Sequence, residues 1–366
     1  MKKKKYKLKK KNVLILGILI LIFVGIAVYK PFINVFRLVS IDFSFKEAVD
    51  IYNSGYYEDI LERGYSKTIS NIVNDSSYNN SNLDLYYSID YYEYDGFVSN
   101  INKWLELGYT TKEINYINKK NDESLREFVS NKYVQNINRW IQYDFFKTDK
   151  FDRYLKFFDG DYKQTIINVN IGLDKPFYED VNVIKDYSVS VLANKYNKLD
   201  SSFVPRNLIL LDNCSEGNHY LAGEAKEAYD KLCLASQKDG MKLSVTSSYR
   251  SYQDQEKVYN EYLKLYGKSY VEKYVATPGY SEHQTGLALD VKSLRSNIFG
   301  SSDEYKWMVE NSYKYGFILR YTESKKDITG YNSEAWHFRY VGVDAARYIY
   351  ENNITYDEYY VMFLDN

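Results

Sequence analysis

Residues 13–29 form an apolar run without one charged side chain, and eight lysines crowd the eleven residues before it. A helix buried in a globular core has no use for eight lysines at its start. A solvated lysine tail, in turn, does not explain the abrupt switch to Leu, Ile and Val. Seventeen residues rising about 1.5 Å each span about 25 Å, the short end of what a bilayer requires. The run exceeds the usual apolar stretch of a cleaved signal peptide, although the small-x-small triplet Gly25-Ile26-Ala27 keeps cleavage after Ala27 open. Lysines of this kind stay on the cytoplasmic side. The expectation is a cytoplasmic Lys-rich tail (1–12), a single transmembrane anchor (13–29) and a body on the far side of the membrane. No cysteine follows the run to carry a lipid.

The leader hides the charge of the rest. Eight of the 48 basic residues lie in it, so the remaining chain sets 40 against 49 acidic residues and nets −9. A body of that sign excludes phosphate-backbone binding, and no nucleic-acid partner is expected. Hydrophobic residues make up 45% of 366 and charged residues 27%, enough apolar material for about two domains and too much for wholesale disorder. The two cysteines, Cys214 and Cys233, allow two readings. Outside the membrane they can form a disulfide. Equally, Cys233 shares a helical face with Ala225, Tyr229 and Leu232 and can be a free core residue.

Residues 31–195 read as mostly helical, polar and Tyr-rich. A short echo joins Gly64-Tyr65-Ser66 to Gly108-Tyr109-Thr110, each a helix stop followed by a cap for the next helix. This region is expected to be a stalk or docking unit. Residues 196–366 alternate strands and helices. Strand patterns cover Asn207 to Leu211, Leu243 to Ser247, Ala288 to Val291, Phe317 to Arg320 and Trp336 to Tyr340. Helices are expected from Ala222 to Lys238, stopping at Asp239-Gly240, and from Tyr252 to Tyr266, stopping at Gly267. The fold class is α+β, a small antiparallel sheet with flanking helices.

Three histidines are present, His219, His283 and His337, and two sit in dense polar clusters. In Leu287-Ala288-Leu289-Asp290-Val291 the period of two puts the aliphatics on one face and Asp290 on the other. His283 lies seven residues earlier, across a glycine turn, and His337 on a neighbouring strand can complete the group. Two imidazoles and one carboxylate leave a position open for water, the arrangement of a catalytic zinc site. Glu334 supplies a carboxylate free to take a proton from water and pass it to a leaving amine. Positions 334 and 337 of a regular strand face opposite ways, so a turn or bulge is required between them. His219 has no such company and is assigned to a surface turn.

Three blocks together resemble a known family. They are Thr246-Ser247-Ser248-Tyr249-Arg250-Ser251-Tyr252-Gln253-Asp254-Gln255, Ser281-x-His283-x-x-Gly286-x-Ala288-x-Asp290, and Glu334-x-Trp336-His337-Phe338-Arg339-Tyr340. In this order they resemble the VanY-type D-alanyl-D-alanine carboxypeptidases of the lysostaphin/D-Ala-D-Ala peptidase/hedgehog zinc superfamily. The resemblance implies one Zn2+ per chain held by His283, Asp290 and His337, with Glu334 as the catalytic base. It implies that Arg250 grips the substrate's terminal carboxylate and that Gln255 and Ser281 line the same pocket. A guanidinium fork matches a free carboxylate in two hydrogen bonds, which suits that use. Ala335 stands where the family commonly has proline. Arg320 and Arg339 are read as structural.

The implied function is a membrane-anchored bacterial D,D-carboxypeptidase removing the last D-Ala from peptidoglycan stem pentapeptides. Two alternatives remain: an L,D-carboxypeptidase acting on stem tetrapeptides, and a silent peptidoglycan-binding scaffold. Retention of Glu334 and all three ligand candidates argues against silence.

Overall fold

The computed structural model describes residue 25 and residues 29–365, in two compact units that divide between Gln142 and Tyr143. The first unit is a run of short helices whose ends are set by local chemistry. Ser44 accepts from the Glu47 amide while the Glu47 carboxylate returns to the Ser44 amide, closing a capping box on helix Phe45–Ser54. Thr110 and Glu113 do the same for Thr111–Lys120, and Ser66 caps Lys67–Ile72. The Gly-Tyr-Ser/Thr echo is thus a repeated cap.

A second repeat, illegible in the sequence, lies 68 residues apart. Tyr86 accepts from the Asn79 amide and donates to Asn102, whose amide reaches the Ser77 carbonyl. In the second unit Tyr154, Asn170, Lys147 and Phe145 make the same three bonds at the same spacings.

The second unit holds the sheet structure. β1 (Asn182–Ile184) pairs in parallel with β2 (Asn197–Leu199), and β3 (Leu208–Leu210) pairs antiparallel with β4 (Tyr220–Ala222). The main sheet contains β5 (Leu243–Ser247), β6 (Ala288–Ser293), β7 (Phe317–Leu319) and β8 (His337–Tyr340), in the order β5-β6-β8-β7, all antiparallel. Leu287, Leu289 and Val291 turn to the core as the alternation predicts, with Val245, Phe317 and Phe338 beside them. Helix Gly223–Lys238 covers that face with Ala225, Tyr229, Leu232 and Cys233. The opposite face of β6 is left for Asp290.

Cys214 and Cys233 are joined, with Cα atoms 6.0 Å apart. The bridge ties the covering helix to a segment that runs beside the edge strand, where the Cys214 carbonyl accepts from the Val245 amide. Closing a loop of this size is worth about 3 kcal/mol. Cys214→Ala with Cys233→Ala should therefore lower the unfolding free energy by about that amount in a denaturant titration. An unshifted midpoint would show that the bridge constrains nothing.

The membrane expectation is corrected. The proposed span falls on residues 13–29, nearly all outside the described residues. Among the described residues no helix is long and apolar enough to cross a membrane. Helix Gly223–Lys238, for example, has 16 residues and rises about 24 Å, short of the roughly 30 Å hydrocarbon layer, and it carries charge on almost every turn. The single-pass assignment, with a cytoplasmic N-terminus and a membrane partner, is accordingly withdrawn.

Candidate metal centre

Antiparallel register builds the first half of the site. Asp290 on β6 is the direct partner of His337 on β8, so both side chains leave the same face of the sheet. On the other flank a bulge between Val245 and Ser247 brings Ser247 opposite Asp290. A four-residue 3-10 turn (Glu282–Thr285) ahead of β6 supplies the second histidine. Gly286 ends that turn at φ 68°, and a Cβ there would stand 3.0 Å from Leu208 Cδ2 and 3.3 Å from the Ala222 nitrogen. Only glycine closes the turn onto the strand at that approach.

One ligating atom from each of His283, Asp290 and His337 lies within 4.8 Å of the other two. His337 Nδ1 is 3.0 Å from Asp290 Oδ1, and His283 Nε2 is 3.4 Å from Asp290 Oδ2. The remaining ring nitrogens are engaged elsewhere. His283 Nδ1 lies 2.7 Å from the Ser248 carbonyl, to which it donates, and His337 Nε2 lies 3.2 Å from Glu282 Oε2. Such outer partners select which nitrogen faces a metal. The donor set therefore fits a divalent ion, with Nε2 of His283 and Nδ1 of His337 turned inward.

Glu334 reaches the same point through a turn. The His337 amide donates to the Glu334 carbonyl at 3.2 Å across Ala335-Trp336, and Glu334 Oε2 stands 4.0 Å from His337 Nδ1. This is the reversal that the spacing of 334 and 337 requires. Trp336, 41% exposed, sits at the rim.

The electrostatics separate the two carboxylates. Burial pushes the Glu334 carboxyl up to about 7, reinforced by Asp290 and opposed by His337. Burial would also raise Asp290, but the two imidazoles override it and hold that carboxyl well below its ordinary range. Burial, with Arg250 close by, pushes His283 down to about 4. Burial would lower His337 too, yet its hydrogen bonds to Asp290 and Glu282 carry it up to about 9. One carboxylate is thus locked in the charged form, and the other is poised to exchange a proton near neutrality.

Arg250, Gln255 and Ser281 line the same cleft of about 360 Å³. The Arg250 amide donates to the His283 carbonyl, which seats the residue beside the metal group. Its guanidinium Nε is buried without a hydrogen-bond partner among the described residues, and burial lowers its pKa. Gln255 gives its amide nitrogen to the Ala276 carbonyl at 2.7 Å and leaves its buried Oε1 unpaired. The Ser281 hydroxyl accepts from the His283 amide and caps the turn. Tyr262, Tyr270, Tyr321 and Tyr331 complete the walls. His219 lies outside the cleft, half-buried, with Nδ1 3.5 Å from the Ser248 hydroxyl.

Sequence reasoning missed three contributors: Glu282, the Ser248 carbonyl and Tyr321, whose ring lies 5.1 Å from that of His337. A backbone carbonyl has no sequence signature. Glu282, between Ser281 and His283, was legible only as one more polar residue.

Residues 218–343 match the family model of VanY, D-alanyl-D-alanine carboxypeptidase. YodJ of Bacillus subtilis is 36% identical over 216 residues, which cover 54% of this chain and 79% of that protein. The bifunctional D-Ala-D-Ala dipeptidase and D-Ala-D-Ala carboxypeptidase VanXYC of Enterococcus gallinarum is 35% identical over 178 residues, 46% of this chain and 92% of that protein. The solved structure of the LdcB LD-carboxypeptidase is 36% identical and superposes over 50% of this chain and 91% of its own, with a TM-score of 0.47.

Proposed function

Because this chain belongs to the VanY family of D-alanyl-D-alanine carboxypeptidases and is a metallo-carboxypeptidase, we propose that it removes the terminal D-Ala from peptidoglycan stem pentapeptides with one zinc ion. The observation that carries the reading is a single cleft holding both a compact His283/Asp290/His337 group and the Arg250 guanidinium, whose buried Nε has no hydrogen-bond partner among the described residues. The first suits a catalytic metal with an open position. The second suits a substrate that ends in a free carboxylate. The catalytic domain is proposed as residues 196–366, with residues 31–195 as a stalk or docking region.

His283, Asp290 and His337 would hold the zinc. Bound there, it supplies Lewis-acid chemistry, acidifying water and drawing charge from a carbonyl oxygen. The protein's own groups do the rest. Arg250 grips the terminal carboxylate and, with Gln255 and Ser281 alongside, sets the scissile bond against the metal group. Glu334 takes a proton at its carboxylate from the attacking water and returns it to the leaving amine nitrogen. Its pKa near neutrality serves both steps, since a base that is too weak cannot accept and one too strong cannot release. The tyrosine walls limit the water around the reacting bond.

The test is to incubate the purified chain with pentapeptide and tetrapeptide stems, with and without a chelator, and to weigh the products. Chelator-sensitive loss of one alanine from the pentapeptide alone is expected. Loss from the tetrapeptide alone would make this an L,D enzyme, and no cleavage of either would leave a binding protein. For the carboxylate role, Arg250→Ala should weaken KM for substrates with a free C-terminus. The loss expected for a charged hydrogen bond is about 1.5–3 kcal/mol, or roughly tenfold or more in KM. An unchanged KM would remove Arg250 from substrate recognition.

A further inference from the structure

We propose that Glu282 is a positioning residue of this centre, holding His337 from beneath so that Nδ1 faces the metal position. The inference rests on the reading of His337 as a ligand. The Glu282 side chain is fully buried, and its two oxygens do different things. Oε2 lies 3.2 Å from His337 Nε2. Oε1 accepts from Arg320 Nε at 2.8 Å, with Arg339 Nη1 at 3.5 Å. Arg320 is paired in turn with Asp357 at 2.7 Å, and Asp357 accepts from the Asn194 amide at 2.7 Å. The buried charges balance, two carboxylates against two guanidiniums, so Glu282 is held in its acceptor form.

An ionised carboxylate only accepts, and a neutral imidazole carries its proton on one nitrogen and a lone pair on the other. Once a metal takes Nδ1, the nitrogen 3.0 Å from Asp290, the one remaining ring proton lies on Nε2, where Oε2 of Glu282 accepts it. The Ser248 carbonyl imposes the opposite choice on His283, with the proton on Nδ1 and the lone pair on Nε2. One 3-10 turn thus presents a ligand, His283, and the residue that orients the other ligand, His337. A purely structural role would be met by the Arg320–Asp357 pair and would not need an oxygen spent on the imidazole. Partners of this kind typically change metal affinity by roughly 10–100-fold when removed.

The test compares the full-length protein with Glu282→Gln and with Asp357→Asn. The latter disturbs the same buried cluster one link further away and leaves the contact with His337. Each protein is stripped of metal and titrated with Zn2+ against a competing chelator. With only three histidines, the ring N–H signals are also read by nitrogen-15 NMR in the zinc-loaded state. Glu282→Gln should raise the zinc Kd by roughly 10–100-fold and shift the His337 Nε2–H signal upfield with faster exchange. Asp357→Asn should lower thermal stability and leave zinc affinity unchanged. Equal zinc affinity in Glu282→Gln and wild type would overturn the inference, as would an equal loss in Asp357→Asn. Should Glu282→Gln fail to fold, the wild-type spectrum decides. A slowly exchanging proton on His337 Nε2 supports the role, and its absence overturns it. Wild-type protein that binds no zinc would instead overturn the metal centre itself, and this inference with it.

Discussion

Glu334→Gln should lower turnover by about 10²–10⁴-fold, the usual contribution of a positioned general base, while metal content stays unchanged. The side chain keeps its shape, so the cleft and the Ala335-Trp336 turn should survive. An amide cannot take up the proton that the carboxylate would hold and release near neutral pH. Among the described residues the compact ligating group consists of His283, Asp290 and His337, without Glu334. Turnover and metal content must be measured on the same sample. Loss of metal along with activity would make Glu334 a ligand, and retained turnover would assign the base elsewhere.

His283→Ala should have the second large effect, reducing zinc from one ion per chain toward none and abolishing activity with it. The imidazole is buried and donates to the Ser248 carbonyl, which holds its Nε2 toward Asp290. Metal that binds only the folded state stabilises it, by about 2.7 kcal/mol at a hundred times Kd. Wild-type protein should therefore melt higher with added zinc, and the variant should not. A variant that keeps full stoichiometry and the zinc-dependent rise would remove His283 from the site.

Much of the fold was legible because short-range chemistry writes it. The strand over Leu243 to Ser247 and the helix over Tyr252 to Tyr266, stopped by Gly267, fall where the sequence puts them. Helix Gly223–Lys238 and the strands at 288, 317 and 337 agree within one or two residues. The correction at the N-terminus shows the opposite case. There a hydrophobic run has the look of a span, yet no described helix meets the length and apolarity a bilayer demands.

Residue type and spacing along the chain settled which side chains are available here: two histidines and an aspartate on short alternating segments, and a glutamate three residues before the second histidine. Period and turn chemistry act over a few residues, so a reader of the chain can follow them. Tertiary packing alone decided that Asp290 and His337 are register partners, that a 3-10 turn swings His283 toward them, and that Glu282 lies beneath. It also decided that Asn194, Asp357 and Arg320, scattered over more than 160 positions, form one buried chain behind the site. Hydrogen bonds and desolvation depend on distance in space. Partners far apart in sequence leave no period or motif by which each could announce the other.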